Sequence, residues 1–278
     1  MAESVPFDMA APTPKDLYSL PDLYDILHTP ETASEVDGLE RLFALHGPRP
    51  RGKPRWLEPA CGTARYLRVA AGRGIRVTGV DVSAEMIDYA RDVFAKRKLQ
   101  GDLILGDITA LDDLVESEHF DFAFCPINSI RHIETDAGLV RHLKGIANAL
   151  KPGGVYAVGM NFGGFDDDAN ALETPSEDIW EATRGSTHLH QLISYDPPTD
   201  PADRFEQVRS VLTVTRGMRE PEQHISHYRL RTYNENQWYK LVAKSPLEPA
   251  GVVDEQGDAL KCPGIGYAIR LLRRPTES

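Results

Sequence analysis

Three acids stand at the ends of short apolar runs. Glu58 closes Trp56-Leu57-Glu58, Asp81 closes Arg76-Val77-Thr78-Gly79-Val80-Asp81, and Asp107 closes Leu103-Ile104-Leu105-Gly106-Asp107. Small residues follow the first acid, in the order Pro59-Ala60-Cys61-Gly62-Thr63-Ala64, before a helical run opens at Arg65. Such side chains let a ligand approach the backbone, and the helix N-terminus behind them presents free N–H groups. Asp81, at the carboxyl end of the next strand, can accept two hydrogen bonds from ribose hydroxyls. A nucleoside lying across two strand ends uses both features. Glu58, directly before the turn, repels a pyrophosphate and suits a cationic group such as an amine. The dinucleotide fingerprint G-x-G-x-x-G also fails, because Ala60 occupies its first glycine position.

A parallel sheet is needed to hold these acids in register. Phe120 to Ser129 begins as a continuous apolar run, as a buried parallel strand requires, and Val155 to Met160 supplies a fifth. Between strands, Ser83 is a helix N-cap followed by Met86, Ile87, Ala90, Val93 and Phe94 on one face. A second helix runs from Asp136 through Leu139, Leu143, Ile146 and Leu150 to a stop at Lys151-Pro152-Gly153-Gly154. The first 14 residues hold three prolines and read as irregular. Asp16 to His28 gives two short helical pieces, with Pro21 opening the second, and Glu35 to Leu45 a longer helix. From Asn161 to Gly185 the composition predicts a mobile connection. The period then changes to two over His188–Tyr195, Phe205–Thr215 and His224–Thr232, which predicts a three-stranded antiparallel insertion. Asn234 caps a helix carrying Trp238, Leu241 and Val242, and Val252-Val253 and Gly266–Leu272 are the last strands, the terminal one antiparallel.

Composition narrows the classes. A chain of 278 residues, 41% hydrophobic and 26% charged, is an ordinary globular composition. The formal charge of −11 argues against a nucleic-acid partner, since backbone affinity comes from clustered Lys and Arg. Cys61, Cys125 and Cys262 form no C-x-x-C pair, so a reducing, cytoplasmic setting is expected. No run reaches membrane-spanning length, and no membrane association is expected. His188 and His190 share one strand face near His224 and His227, yet no carboxylate or cysteine completes a metal set at a telling spacing.

Glu58-Pro59-Ala60-Cys61-Gly62-Thr63-Ala64-Arg65 resembles motif I of the class I S-adenosylmethionine-dependent methyltransferases, with Ala64 where glycine is usual. Asp81-Val82-Ser83-x-x-Met86 resembles motif II, in which the residue after the acid and the methionine sandwich the adenine. Gly106-Asp107-Ile108 resembles motif III, whose carboxylate takes the adenine amine while the next N–H reaches the ring. The ordered motifs cover residues 56–160. The resemblance implies a seven-stranded doubly wound α/β sheet with the last strand antiparallel, helices on both faces and an inserted antiparallel β lid. It implies a helical cap over 1–50, the cofactor core over 51–160, the lid over 161–233 and completion of the core over 234–278.

It further implies S-adenosylmethionine as cofactor, met by Glu58, Ala60, Gly62, Arg65, Asp81, Val82, Met86, Asp107, Ile108 and Cys125. Cys125 precedes Pro126, unlike the nucleophile of the cytosine-C5 enzymes, and has no activating partner in the sequence, so no covalent role is expected of it. The implied acceptor is a small molecule methylated on nitrogen or oxygen, contacted by Tyr18, Asn128, His188 and Arg229, in a monomer or homodimer. Tyr24, on the same helical stretch as Tyr18, is a further candidate for the pocket wall. His132, the only histidine in the loop after the fourth strand, is the expected base, because its ordinary pKa lies nearest the working pH. Two other classes stay open on residues alone: an NAD-dependent oxidoreductase, weakened by Glu58 and the missing glycines, and a regulatory protein that binds the cofactor without chemistry.

Overall fold

The computed structural model describes residues 17–163, 175–198, 200, 203–260 and 266–276. The expected irregular start, residues 1–14, and Cys262 lie outside them. A short 3-10 turn at Leu17–Ser19 leads into α1 (Pro21–His28) and α2 (Thr32–His46). Then β1 (Arg55–Pro59), α3 (Arg65–Gly72), β2 (Arg76–Asp81), α4 (Ala84–Lys96), β3 (Asp102–Leu105) and β4 (Phe120–Cys125) alternate. They are followed by α5 (Asp136–Ala149) and β5 (Leu150–Phe162). The local rules act as the residues demand: Pro21 opens α1, Ser83 accepts the Met86 N–H to cap α4, and Asn234 forms a full capping box with Gln237.

Seven strands form the main sheet in the order β10-β11-β5-β4-β1-β2-β3, with β10 (Glu248–Val253) and β11 (Gly266–Arg273) completing it. All neighbouring pairs from β5 to β3 are parallel, and β11 runs antiparallel to both β5 and β10. Period-two alternation splits the core into two layers. Leu57, Ala123, Tyr156 and Val158 face Leu139, Leu143 and Ile146 of α5, with Trp238 and Leu241 of α6 (Glu235–Val242). Trp56, Phe122, Phe124, Val155 and Ala157 face α2, α3 and α4 on the other side. Strand order reverses at β1, which opens a crevice between the carboxyl ends of β1 and β4, where open α/β sheets bind ligands.

A separate sheet lies between β5 and α6 in the chain, ordered β6 (Ser176–Arg184), β7 (Thr187–Asp196), β8 (Phe205–Arg216) and β9 (Glu222–Arg231). Four antiparallel strands replace the expected three. The segment read as a mobile connection supplies β6 over its described part, because a tight Gly185-Ser186 turn pairs it with β7 along its full length. Glu177, Asp178 and Glu181 hid it from the composition, yet such charges are what an edge strand carries.

Helix α1 packs on this lid through Leu23 and Leu27, against Ala182, Leu189, Leu212 and Val214. Buried Asp25 of α1 joins three parts of the molecule: Arg68 of α3 and Arg184 of β6 both donate to its carboxylate. Burial works against that charge, but the two arginines outweigh it and hold the carboxyl below its usual range. Cap, core and lid thus meet over one end of the main sheet. Among the described residues, no helix is long and apolar enough to cross a membrane.

Candidate active site

The turn after β1 is wound tightly. Ala60, Gly62 and Ala64 take φ of 59°, 52° and 56°, the left-handed region that glycine tolerates best. Asp81 fixes it: one carboxylate oxygen accepts the Gly62 N–H at 2.7 Å and the other the Ser83 N–H at 2.9 Å. Over Gly62 stands the Tyr24 ring, whose nearest atom would lie 3.7 Å from a methyl placed on that glycine. Burial pushes the Tyr24 phenol up to about 12, so it keeps its proton.

Glu58 is buried at the end of β1, and its Oε2 has no hydrogen-bond partner. Burial drives its carboxyl well above the ordinary 4.5. Arg65, almost fully buried, is held by Glu35 and donates to Thr32 Oγ1 at 2.8 Å. Val82 is 75% exposed beside this crevice, whereas Met86 is 1% exposed. Val82 thus lies at the surface and Met86 in the core beneath the start of α4. Asp107 caps the 3-10 helix Ile108–Asp113 by accepting the Thr109 N–H at 2.7 Å, and Ile108 is half-buried behind it.

Cys125 is wholly buried among the α5-side residues with its thiol raised to about 12 by burial, so its side chain faces neither crevice nor solvent. Immediately beyond it, Ile127 and Asn128 both adopt positive φ, 56° and 60°. For a β-branched residue that is strained backbone, and strain of this kind gathers at functional turns. Asn128 Oδ1 accepts the Asn161 N–H at 2.8 Å, tying the β4 and β5 exits together.

The residues facing the crevice from above are aromatic. His132, in the 3-10 turn Ser129–His132, places Nε2 3.3 Å from the Tyr18 hydroxyl. Its ring lies 5.6 Å from that of Tyr228 on β9, and Tyr18 stands 6.0 Å from Tyr24. Tyr228 is missing from the sequence expectation; its signal would have been its place on the same strand face as Leu230, which packs inward. The structure brings Tyr18 and His132 together, but not His188 or Arg229. His188 is exposed on the face opposite Leu189, with its Nδ1 3.0 Å from the Thr183 hydroxyl, so it does not line the space under the lid. Arg229 is spent on a surface ion pair with Glu134 at 2.7 Å. Among the described residues, no three His, Cys, Asp or Glu side chains are grouped to hold a metal ion.

Comparison with known proteins bears on this arrangement. Residues 57–154, which span Glu58, Asp81, Asp107 and His132, match the methyltransferase domain family. The chain is 27% identical over 176 residues to a putative methyltransferase, YqeM, of Bacillus subtilis (strain 168), covering 58% of this chain and 68% of that one. A solved S-adenosylmethionine-dependent methyltransferase from Clostridium acetobutylicum ATCC 824 superposes with a TM-score of 0.67 at 18% identity, over 94% of this chain and all of that one. The chain carries a methyltransferase domain on the fold of the S-adenosylmethionine-dependent methyltransferases. The dinucleotide-oxidoreductase alternative falls with that match.

The methyltransferase also resembles, at 30% identity over 140 residues, the dTDP-3-amino-3,6-dideoxy-alpha-D-glucopyranose N,N-dimethyltransferase of Streptomyces fradiae. That match spans about half of each chain, 49% of this one and 51% of the other. Its cofactor is S-adenosylmethionine, and the crevice fits that molecule on its own terms. An orphaned, buried Glu58 oxygen awaits a donor, Gly62 leaves its turn without a side chain beneath the Tyr24 ring, and Val82 offers a bare apolar surface.

Two outcomes are expected from the turn itself. A left-handed non-glycine residue costs about 1–2 kcal/mol, but Ala64→Gly also frees the unfolded chain by about 0.4–1 kcal/mol and loses a buried methyl worth about 0.8 kcal/mol. These nearly cancel, so urea unfolding of Ala64→Gly should differ from wild type by less than about 1 kcal/mol. For Glu58, a folded pKa above the ordinary value means that stability falls as pH rises from 4.5 through the folded value. Unliganded Glu58→Gln should therefore be more stable than wild type at neutral pH, with the difference vanishing as pH is lowered to 4.5.

Proposed function

We propose that this methyltransferase methylates an amine nitrogen of a small molecule, with His132 taking the proton that the acceptor ammonium loses. The observation that carries this is the Tyr18–His132 pair, 3.3 Å apart at the carboxyl end of β4 and walled by aromatic rings. Tyrosine faces attract a cation, and a protonated amine must shed its proton before it has a lone pair to offer. A neutral hydroxyl acceptor would gain no cation–π attraction from such walls. The name of the Streptomyces fradiae relative points to the same chemistry, an amino sugar being its acceptor.

When bound, S-adenosylmethionine supplies an electrophilic methyl group on a sulfonium centre. The residues here supply binding, orientation and proton removal. Asp81 would accept from the ribose hydroxyls, Glu58 would balance the cationic amino end, and Gly62 and Ala60 would let the ligand close on the backbone. Val82, Asp107 and Ile108 would hold the adenine. Arg65, braced by Glu35, keeps positive charge at the start of α3. Tyr18 orients the His132 ring through its hydroxyl, and Tyr24 closes the crevice over Gly62. With the lid above, these groups hold the acceptor at attacking distance and exclude water, which is most of what methyl transfer requires.

A panel of amino sugars, simple amines and their hydroxyl counterparts, assayed for S-adenosylhomocysteine release, tests the proposal: turnover only with amines is expected, and turnover confined to hydroxyl compounds overturns it. In His132→Ala, turnover should fall by roughly 10²- to 10⁴-fold with S-adenosylhomocysteine affinity kept, and the loss should shrink at high pH, where the amine deprotonates unaided. A loss below about threefold across the pH range would place His132 outside the chemistry. Calorimetric titration of Asp81→Asn should show S-adenosylhomocysteine binding weakened by about 1.5–3 kcal/mol; unchanged affinity would remove Asp81 from the ribose site.

A further inference from the structure

His132 sits on a one-turn helix that has little structure of its own to fix it. Its neighbour Arg131 is only 4% exposed and points away from the crevice toward the root of the lid. There the guanidinium makes two bonds to two different strands. Nε donates to the Arg231 carbonyl at the end of β9 at 2.8 Å, and one terminal nitrogen donates to Glu206 Oε2 near the start of β8 at 2.7 Å. Glu206 is 9% exposed, so the pair is buried. Arg231 reaches back in turn, donating to the Glu134 carbonyl at 2.6 Å and to Asp136 at 2.7 Å. The loop after β4 is therefore stitched to the lid by charged hydrogen bonds rather than to the main sheet by apolar packing alone. The rings beside His132 come from the same side, Tyr228 from β9 and Tyr18 from the segment that leads into α1.

We propose that Arg131 is a positioning residue whose buried bonds to Glu206 and to the Arg231 carbonyl fix His132 against the lid, so that the proton acceptor is registered to the sheet that roofs the methyl acceptor. The inference rests on His132 being the base. A buried ion pair resists separation, because either partner left alone is an uncompensated charge in apolar surroundings. Arg131 therefore does not exchange Glu206 for water, and the peptide between Arg131 and His132 inherits that fixity. Lysine could keep the charge opposite Glu206, but its single nitrogen cannot span both acceptors in the planar fork that arginine presents.

The test compares Arg131→Lys and Arg131→Met with wild type in full-length protein. Displacement of a catalytic group by about 1 Å can cost on the order of 100-fold, so kcat should fall roughly 10- to 100-fold in Arg131→Met and less in Arg131→Lys. S-adenosylhomocysteine affinity should stay within about threefold, since the Arg131 guanidinium is turned toward Glu206 and the Arg231 carbonyl. The second readout needs no turnover. In unliganded protein with labelled histidine, at alkaline pH, the His132 ring resonance should carry the ring-current shift of Tyr18 and Tyr228 and lose it in Arg131→Met. If Arg131→Met does not fold, Glu206→Gln, which keeps an acceptor oxygen and removes the charge, should show a smaller shift in the same direction. Arg216→Met, which breaks an exposed ion pair with Glu222 at the far end of the lid, should leave both readouts unchanged. An unmoved resonance together with normal kcat in Arg131→Met overturns the inference. A moved resonance with His132→Ala fully active instead overturns the assignment of the base, and the two failures are distinguishable.

Discussion

One carboxylate holds the crevice in shape. Asp81 takes a backbone N–H from each of two turns, Gly62 after β1 and Ser83 after β2, so neither turn can move without the other. Burial raises its pKa and the N–H groups of Ser83 and Gly62 oppose that rise, which leaves a carboxylate stabilised by donors rather than by a cation. An ionised carboxylate offers about four lone-pair sites, so one beyond the backbone donors can still accept a ligand hydroxyl. Ser83 extends the chain of dependence: its hydroxyl caps α4 and also lies 3.4 Å from the Tyr18 carbonyl. Through that contact, the strand-end acid helps decide where the cap places its tyrosine.

The lid is joined to the rest by charge at two places. Asp25 gathers Arg68 from the core and Arg184 from β6, and Arg131 gathers Glu206 and the Arg231 carbonyl from the opposite end of the lid. Buried pairs like these return little net stability once desolvation is counted, but either partner alone is costly. Their effect is to fix geometry: the aromatic rings contributed by cap and lid come to stand over the β4 exit rather than elsewhere.

Much of the fold was legible because buried parallel strands leave a plain trace. Phe120–Cys125 is apolar except for Asp121 and is buried at every position, and the acids near the ends of β1 and β2 sit at or next to the last paired residue. Ser83, Asn234 and Pro21 marked helix starts by chemistry confined to three or four residues. The lid was harder. Its inward face holds Gln191, Ser210 and Ser226 and its outward face holds Leu192, Val211 and Ile225, so polarity did not say which way each strand pointed. His188 accordingly stands on the outward face, which the sequence did not indicate. Met86 and Cys125 lie deep in the core, and depth below the surface is not a property of spacing.

The sequence by itself determined the order of the core strands and helices, the strand-end acids, the glycine-poor turn and the likeness to the methyltransferase motifs. These rest on backbone preferences and side-chain periods that act within a few residues. The tertiary structure alone decided that Glu35 would hold Arg65 from 30 residues away, that Tyr18 would meet His132 across 114, and that Arg184 would reach Asp25 across 159. It also decided which face of the lid covers the crevice. Such contacts depend on how two sheets and a helix pack together, and no local spacing encodes a distance that only the packed chain creates.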